Sequence, residues 1–225
     1  MGDSVHHEVV LYDLACIKRA CFSPVVWKIR LMLNYKRIPY KTVFLEFPDI
    51  APTLKDLGLA PHEAGSGSSA NYTVPAIKHV PTGRYIMDSP IIAEFLELTY
   101  PHPPLPLTSQ LGEEIAIKAR HAIGPAFRIS ITPRENLILS HRSQDYFRAK
   151  NEARLGCKLE DLLEDEKEEK AWEAVGEVLE ELNFFIAASL QSARTVDESV
   201  YQRCVQYAGF EKIYKACLPW MQKKD

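Results

Sequence analysis

The sequence predicts an α+β protein of two domains, an N-terminal α/β domain with a mixed four-stranded sheet and a C-terminal all-helical domain. Three observations predict it. Over the first hundred residues, short β-branched apolar runs alternate with segments of helical period. A proline-rich stretch, YPHPPLPL (100–107), then marks a change in composition. Beyond it apolar residues recur at helical spacing and no convincing strand is found. The expected division is 1–100, a linker over 101–110, and 111–225.

EVVLYDL (8–14) is short, apolar and β-branched, which predicts a buried strand. Ser23-Pro24 predicts a helix start, because Ser is a favoured N-cap and Pro is favoured at the first helical position. Val26, Trp27, Arg30, Leu31 and Leu33 give that helix a mostly apolar face to about Arg37. Tyr40 to Phe47 predicts a second strand, and Ile50 to Leu57 a short helix stopped by Gly58. PHEAGSGSSAN (61–71) has the composition of a flexible loop. Val74 to Val80 and Arg84 to Met87 predict a hairpin around Pro81-Thr82-Gly83, followed by a helix from Ser89 to Leu98.

In the second half, Leu111, Ile115, Ala119 and Ala122 predict a helix ending at Gly124-Pro125. Leu159, Leu162 and Leu163, then Trp172, Val175, Leu179, Leu182 and Ile186, keep helical spacing to about Leu190. Thr195 to Glu198 has the form of a capping box opening an amphipathic helix.

Bulk composition excludes several classes. A net charge of −3, from 27 basic and 30 acidic residues, is too balanced for a nucleic-acid surface. No apolar run approaches the roughly 18 residues that span a bilayer. The N-terminus lacks a secretory pattern, and His6 stands where a myristoylation motif needs Ser or Thr. Five scattered cysteines predict free thiols in a reducing compartment, hence a cytoplasmic location. The seven histidines show no ligand spacing with the cysteines, so no metal is expected.

Three local features carry chemistry. Ser23 sits at a predicted strand–helix junction, where unpaired N–H groups and the positive dipole end favour an anion. Its hydroxyl accepts from the helix while donating to a thiolate; the plainer role is an N-cap. Val74-Pro75 opens a strand, and a cis bond there would leave the Val74 N–H and C=O facing outward for a peptide backbone. Asp88-Ser89-Pro90 opens another helix, with amides suited to a carboxylate and an acid suited to an ammonium. A second plain N-cap is the alternative. In this order the three describe a site for a short peptide with a central thiol and an amino-acid head, and glutathione is such a molecule.

The residues also resemble a known family. CFSPVVWKIRLML (21–33) resembles the Ser-type glutathione transferases, whose pattern is Ser, a short spacer, Trp, a basic residue, an apolar residue and Arg. VPAI (74–77) and MDSP (87–90) resemble that family's cis-proline and acidic-Ser signatures. DYFRAKNEARLGCKLEDL (145–162) is similar to a fungal-specific class related to bacterial β-etherases, enzymes that cleave lignin aryl ethers with glutathione. The resemblance implies a thioredoxin-like first domain and glutathione as cosubstrate. It implies Ser23 facing the sulfur, Val74 and Pro75 at the cysteinyl backbone, and Asp88 and Ser89 at the γ-glutamyl end. It further implies small hydrophobic or aromatic ligands and a homodimer, with no nucleic-acid or membrane partner.

Other readings fit less well. The Pro-rich stretch carries P-x-x-P spacings, but its position suits a linker better than an SH3 ligand. Cys21 is two residues short of the place that a redox Cys would occupy, and no C-x-x-C exists, although an exposed thiol there would support thiol reduction. GSGSSA (65–70) matches a dinucleotide pattern by letters, without the flanking strand and helix. Tyr12 is a weaker thiolate partner than Ser23. The chain also runs from SLQSAR (189–194) straight into TVDESVYQRCVQY (195–207), so a core helix expected after residue 193 is predicted to be absent. The rival function is storage of aromatic metabolites at the same glutathione site without turnover.

Overall fold

The computed structural model describes residues 7–63, 70–107, 109–164, 166–176, 193–205 and 208–221. It separates into two compact units. The first comprises Met1–Ala15, Val25–Leu107 and Trp220–Asp225; the second comprises Cys16–Pro24 and Thr108–Pro219.

The first unit is a mixed sheet of order β2-β1-β3-β4, with β1 Val9–Leu14, β2 Tyr40–Leu45, β3 Ala76–His79 and β4 Arg84–Met87. β1 is central and buried at every position, which is why its sequence is almost continuously apolar. It runs parallel to β2, from Val9↔Tyr40 to Leu14↔Leu45, and antiparallel to β3, from Val9↔His79 to Tyr12↔Ala76. The helices are α1 (Pro24–Tyr35), α2 (Ile50–Asp56) and α3 (Ser89–Thr99). Val26, Ile29 and Leu33 of α1 join Val9, Leu11, Ile77, Ile92 and Leu96 in one core.

Both early helices end in Schellman turns, in which the chain reverses through a left-handed residue. At α2 that residue is Gly58, with φ +80°, and the Leu59 N–H reaches the Leu54 carbonyl. At α1 it is Arg37, with φ +56°, and the Ile38 N–H reaches the Leu33 carbonyl. The buried Lys36 beside it binds the carbonyls of Tyr100 (2.6 Å) and Pro103 (2.9 Å) and pairs with Glu97 (2.6 Å). The proline-rich stretch is thus tied to the end of α1 by one ammonium.

The second unit contains α4 (Gln110–Leu137), α5 (His141–Leu155), a 3₁₀ turn (Glu160–Leu163), α6 (Lys167–Gly176), α7 (Glu198–Val205) and α8 (Ala208–Met221), α8 crossing into the first unit at Trp220. Two expectations are corrected. Gly124-Pro125 does not end a helix, and α4 runs on through Pro125 and Pro133. Buried Ile123, Ala126 and Ser130 keep helical spacing across the proline, and exposed Pro125 loses its ladder bond on the solvent side. Packing outweighs the broken bond.

The second correction concerns α7. Thr195 lies in a helical turn over 193–196, and Asp197 caps α7 by accepting from the Ser199 N–H at 2.8 Å. Leu162 and Leu163 fall in the 3₁₀ turn, and Leu179, Leu182, Ile186 and Leu190 lie outside the described residues, as does the 64–69 part of the loop. All strands among the described residues are in the first unit. None of the described helices is long and apolar enough to cross a membrane.

Candidate functional site

Strand register decides which residues share an edge of the sheet. Tyr12 pairs with Ala76 across an antiparallel ladder, so Val74-Pro75, which precedes β3, lies toward the carboxyl end of β1. Ala76 pairs with Met87, so Asp88-Ser89, which follows β4, lies toward the same end. β1 and β2 are parallel, so α1 carries the chain back between them, and its first turn also opens at this end. Ser23 directly precedes that turn. Parallel strands typically present ligands at their carboxyl ends. Register thus brings Val74, Pro75, Asp88 and Ser89 to one edge of the sheet, and Ser23 precedes α1 in the chain.

Ser23 is largely buried, as are Cys21 and Phe22 before it. Among those described, the segment Cys16–Pro24 groups with the helical unit. The Val74–Pro75 bond is cis, and Val74 lies outside the ladder that begins at Ala76. Its approach is held by the Thr73 N–H on the Met87 sulfur (3.3 Å) and by His62 Nε2 on the Thr73 hydroxyl (2.8 Å).

Asp88 occupies the N-cap position of α3, yet its side chain makes no capping hydrogen bond, while its own carbonyl takes the Ile92 N–H at 2.9 Å. Its φ of +81° is a costly conformation for a residue with a Cβ. The plain capping role is not what this carboxylate does. Both Asp88 and Ser89 are half-buried.

Burial first, and then Tyr85, raise the Tyr12 phenol above its ordinary value, so it keeps its proton. Among the described residues no cluster of His, Cys, Asp and Glu is arranged to hold a metal. Cys16, Cys157, Cys204 and Cys217 carry free thiols, and burial pushes Cys204 up to about 12, far from a reactive range.

Beneath this edge lies a buried charge pair. Arg30 on α1 donates through Nη2 to Asp13 Oδ2 (2.9 Å) and Thr42 Oγ1 (3.0 Å), and through Nη1 to the Tyr40 hydroxyl (3.3 Å). Its guanidinium also lies over the Trp27 and Tyr40 rings. This network joins α1 to β1 and β2, and so sets where the α1 tip stands.

Comparisons with known proteins give the family of both parts of the chain. Residues 22–99 match the model of the glutathione S-transferase N-terminal domain, and residues 117–221 match that of the C-terminal domain. The chain belongs to the glutathione S-transferase superfamily. Its first unit is accordingly the thioredoxin-like domain of that family, and the second its helical domain. A glutathione S-transferase of Ceriporiopsis subvermispora, solved in complex with glutathione, is similar at a TM-score of 0.84 with 27% identity, over 97% of this chain and 100% of that one. Glutathione transferase GSTFuA3 from Phanerochaete chrysosporium is similar at 0.82 with 25% identity, over 96% and 98%. The glutathione S-transferase-like protein ustS of Aspergillus flavus is 38% identical over 135 residues, 56% of this chain. This transferase-family chain spans about half of that relative, the match covering 48% of it.

Sequence reasoning had missed Asp13, Thr73, His62 and Lys36 in this family fold. Asp13 was detectable, since an acid inside an apolar strand and Arg30 on an apolar helix face call for each other. The contacts of His62 with Thr73 and of Thr73 with Met87 left no signal, because each joins separate elements that only folding brings together.

Proposed function

We propose that this protein is a glutathione transferase in which Ser23 holds the glutathione sulfur as a thiolate for attack on hydrophobic, aromatic electrophiles. In this reading the Val74 backbone, placed beside Pro75, pairs with the cysteinyl residue, and Asp88 and Ser89 take the γ-glutamyl ammonium and carboxylate. The protein acts as a cytoplasmic homodimer. The observation that carries the reading is the shared sheet edge, where the α1 tip, Val74-Pro75 and the uncapped Asp88 carboxylate come together. The glutathione complex of the Ceriporiopsis transferase supports it.

The energetics suffice. A free thiol of pKa about 8.5 is only about 3% ionised at pH 7, and a two-unit depression takes about 2.7 kcal/mol. One hydrogen bond to a charged group supplies about 1.5–3 kcal/mol, and a helix terminus about 0.3–1 kcal/mol. The thiol proton leaves to solvent. The thiolate then forms a C–S bond as the electrophile's bond to its leaving group breaks; for an aryl ether the leaving group is an alkoxide or phenoxide.

The test binds glutathione to the purified protein and reads thiolate ultraviolet absorbance against pH. In Ser23→Ala, thiolate at pH 7 is expected to fall by about tenfold or more, one pKa unit being a factor of ten, while aromatic ligands still bind. Unchanged absorbance and turnover would remove Ser23 from the mechanism. Ligand binding without thiolate in the wild type would favour storage over catalysis.

A further inference from the structure

We propose that Lys18 is a positioning residue for Ser23, anchoring the segment that leads into α1 to the end of a helical turn. The inference rests on the assignment of Ser23 to the glutathione sulfur.

The Lys18 ammonium donates to the carbonyls of Thr195 and Val196, both at 2.9 Å. Both carbonyls lie in the last described turn of a helix, over 193–196, at the end that carries the negative pole of a helix dipole. One residue earlier, the Ile17 N–H donates to the Ile138 carbonyl just past α4 (2.9 Å). The segment is therefore held at two consecutive residues.

Both anchors trace back to the same part of α4. Arg134 Nε pairs with Asp197 at 3.2 Å, and the Asp197 N–H closes the turn on the Ala193 carbonyl at 2.7 Å. Arg134 is itself fixed by both oxygens of Glu168, at 2.9 and 3.1 Å. The turn that receives Lys18 is thus tied to α4 one helical turn before Ile138.

From Lys18 to Ser23 there is little slack. Arg19 takes the left-handed conformation, φ +49°, its N–H reaches the Cys16 carbonyl at 3.1 Å, and the Cys16 thiol donates to the Ala20 carbonyl at 3.2 Å. Cys21, Phe22 and Ser23 follow, all buried. A tight turn and three packed residues pass any movement of Lys18 to the seryl hydroxyl, and a displacement near 1 Å at a reacting group costs up to about a hundredfold. Lys18 is exposed, so its substitution removes the anchor without opening a core.

The experiment measures the pKa of bound glutathione by thiolate absorbance, and glutathione affinity by titration, in wild type, Lys18→Met, Lys18→Arg, Ser23→Ala and the Lys18→Met/Ser23→Ala double variant. Lys18→Met is expected to lose about three- to tenfold of the thiolate at pH 7, with affinity within about twofold. Lys18→Arg, which can still donate to both carbonyls, restores the wild-type value. In the Ser23→Ala background Lys18→Met adds nothing, because its effect passes through the hydroxyl. A wild-type thiol pKa in Lys18→Met, an equal further shift in the double variant, or a change confined to affinity or thermal midpoint would overturn the proposal. Failure of the functional reading looks different: wild type binds no glutathione, or Ser23→Ala alone leaves the thiol pKa in place.

Discussion

In the sheet unit, Asp13 and Arg30 pair at 2.9 Å with no exposure of either side chain. In the helical unit, Arg148 shares its guanidinium between Glu152 and Glu160, both at 2.7 Å, with 38% of its side chain exposed and 60% of that of Glu160. The distances are alike and the consequences differ. Two charges taken from water between a central strand and its covering helix are stabilised by each other, by Thr42 and Tyr40, and by the Leu14 N–H on Asp13 Oδ1 at 2.7 Å. Charges on a helical surface keep water as an alternative partner. The sheet unit therefore specifies one arrangement of α1, whereas the exposed cluster adds little beyond solubility and a local brace.

The largest expected effect comes from breaking the buried pair. Arg30→Met strands the Asp13 carboxylate and is expected to cost about 3–5 kcal/mol in urea unfolding. Asp13→Leu combined with Arg30→Met should recover most of that loss. An Arg30→Met variant within about 1 kcal/mol of wild type would erase the contrast between the two units.

An intermediate effect sharpens it from the helical side. Burial pushes the Glu135 carboxyl on α4 up to about 7, from an ordinary 4.5. The folded state then holds this proton more tightly than the unfolded chain does. The Glu135 contribution to stability thus falls as pH rises from about 4.5 to about 7 and stays low above that window. Glu135→Gln is expected to be neutral below pH 4 and to gain about 1–3 kcal/mol at pH 8, read from urea midpoints across pH. A pH-independent difference would show that Glu135 titrates normally.

The smallest effect lies at the exposed cluster. Arg148 holds Glu160 down to about 2, so its stabilisation is present above the ordinary 4.5 and is lost as pH falls toward 2. Discounted for solvent, Glu160→Gln should cost less than about 1 kcal/mol at pH 7, less still at high salt. A cost matching that of Arg30→Met would make the surface cluster the equal of the buried pair.

The two units also differ in how well their sequences can be read. In the sheet unit, β4 occupies the predicted Arg84 to Met87, and α1 opens one residue after Ser23. Short strands bounded by Gly and Pro turns, and helices opened by Ser-Pro, are punctuated locally, so each boundary is a property of a few neighbouring residues. In α4 the local signal misleads. Pro125 reads as a stop, but the buried stripe through Ile123, Ala126 and Ser130, with Ser130 accepting the Trp172 indole N–H at 2.8 Å, carries the helix past it. The same holds at α7, where Thr195 has the right spacing for a cap and Asp197 does the capping beside Arg134.

Sequence alone determined the element order of the first unit, the helical character of the second, and the three short motifs around Ser23, Val74-Pro75 and Asp88-Ser89. Each depends on nearest neighbours and on hydrophobic period, which the chain carries in itself. Tertiary structure decided what those motifs face. Register brought Val74 and Asp88 to one edge, the backbone freed the Asp88 carboxylate from capping, and contacts distant in sequence supplied Arg30 with Asp13 and Lys18 with Thr195 and Val196. Such pairings are energies between residues that only folding makes neighbours, so no local pattern encodes them.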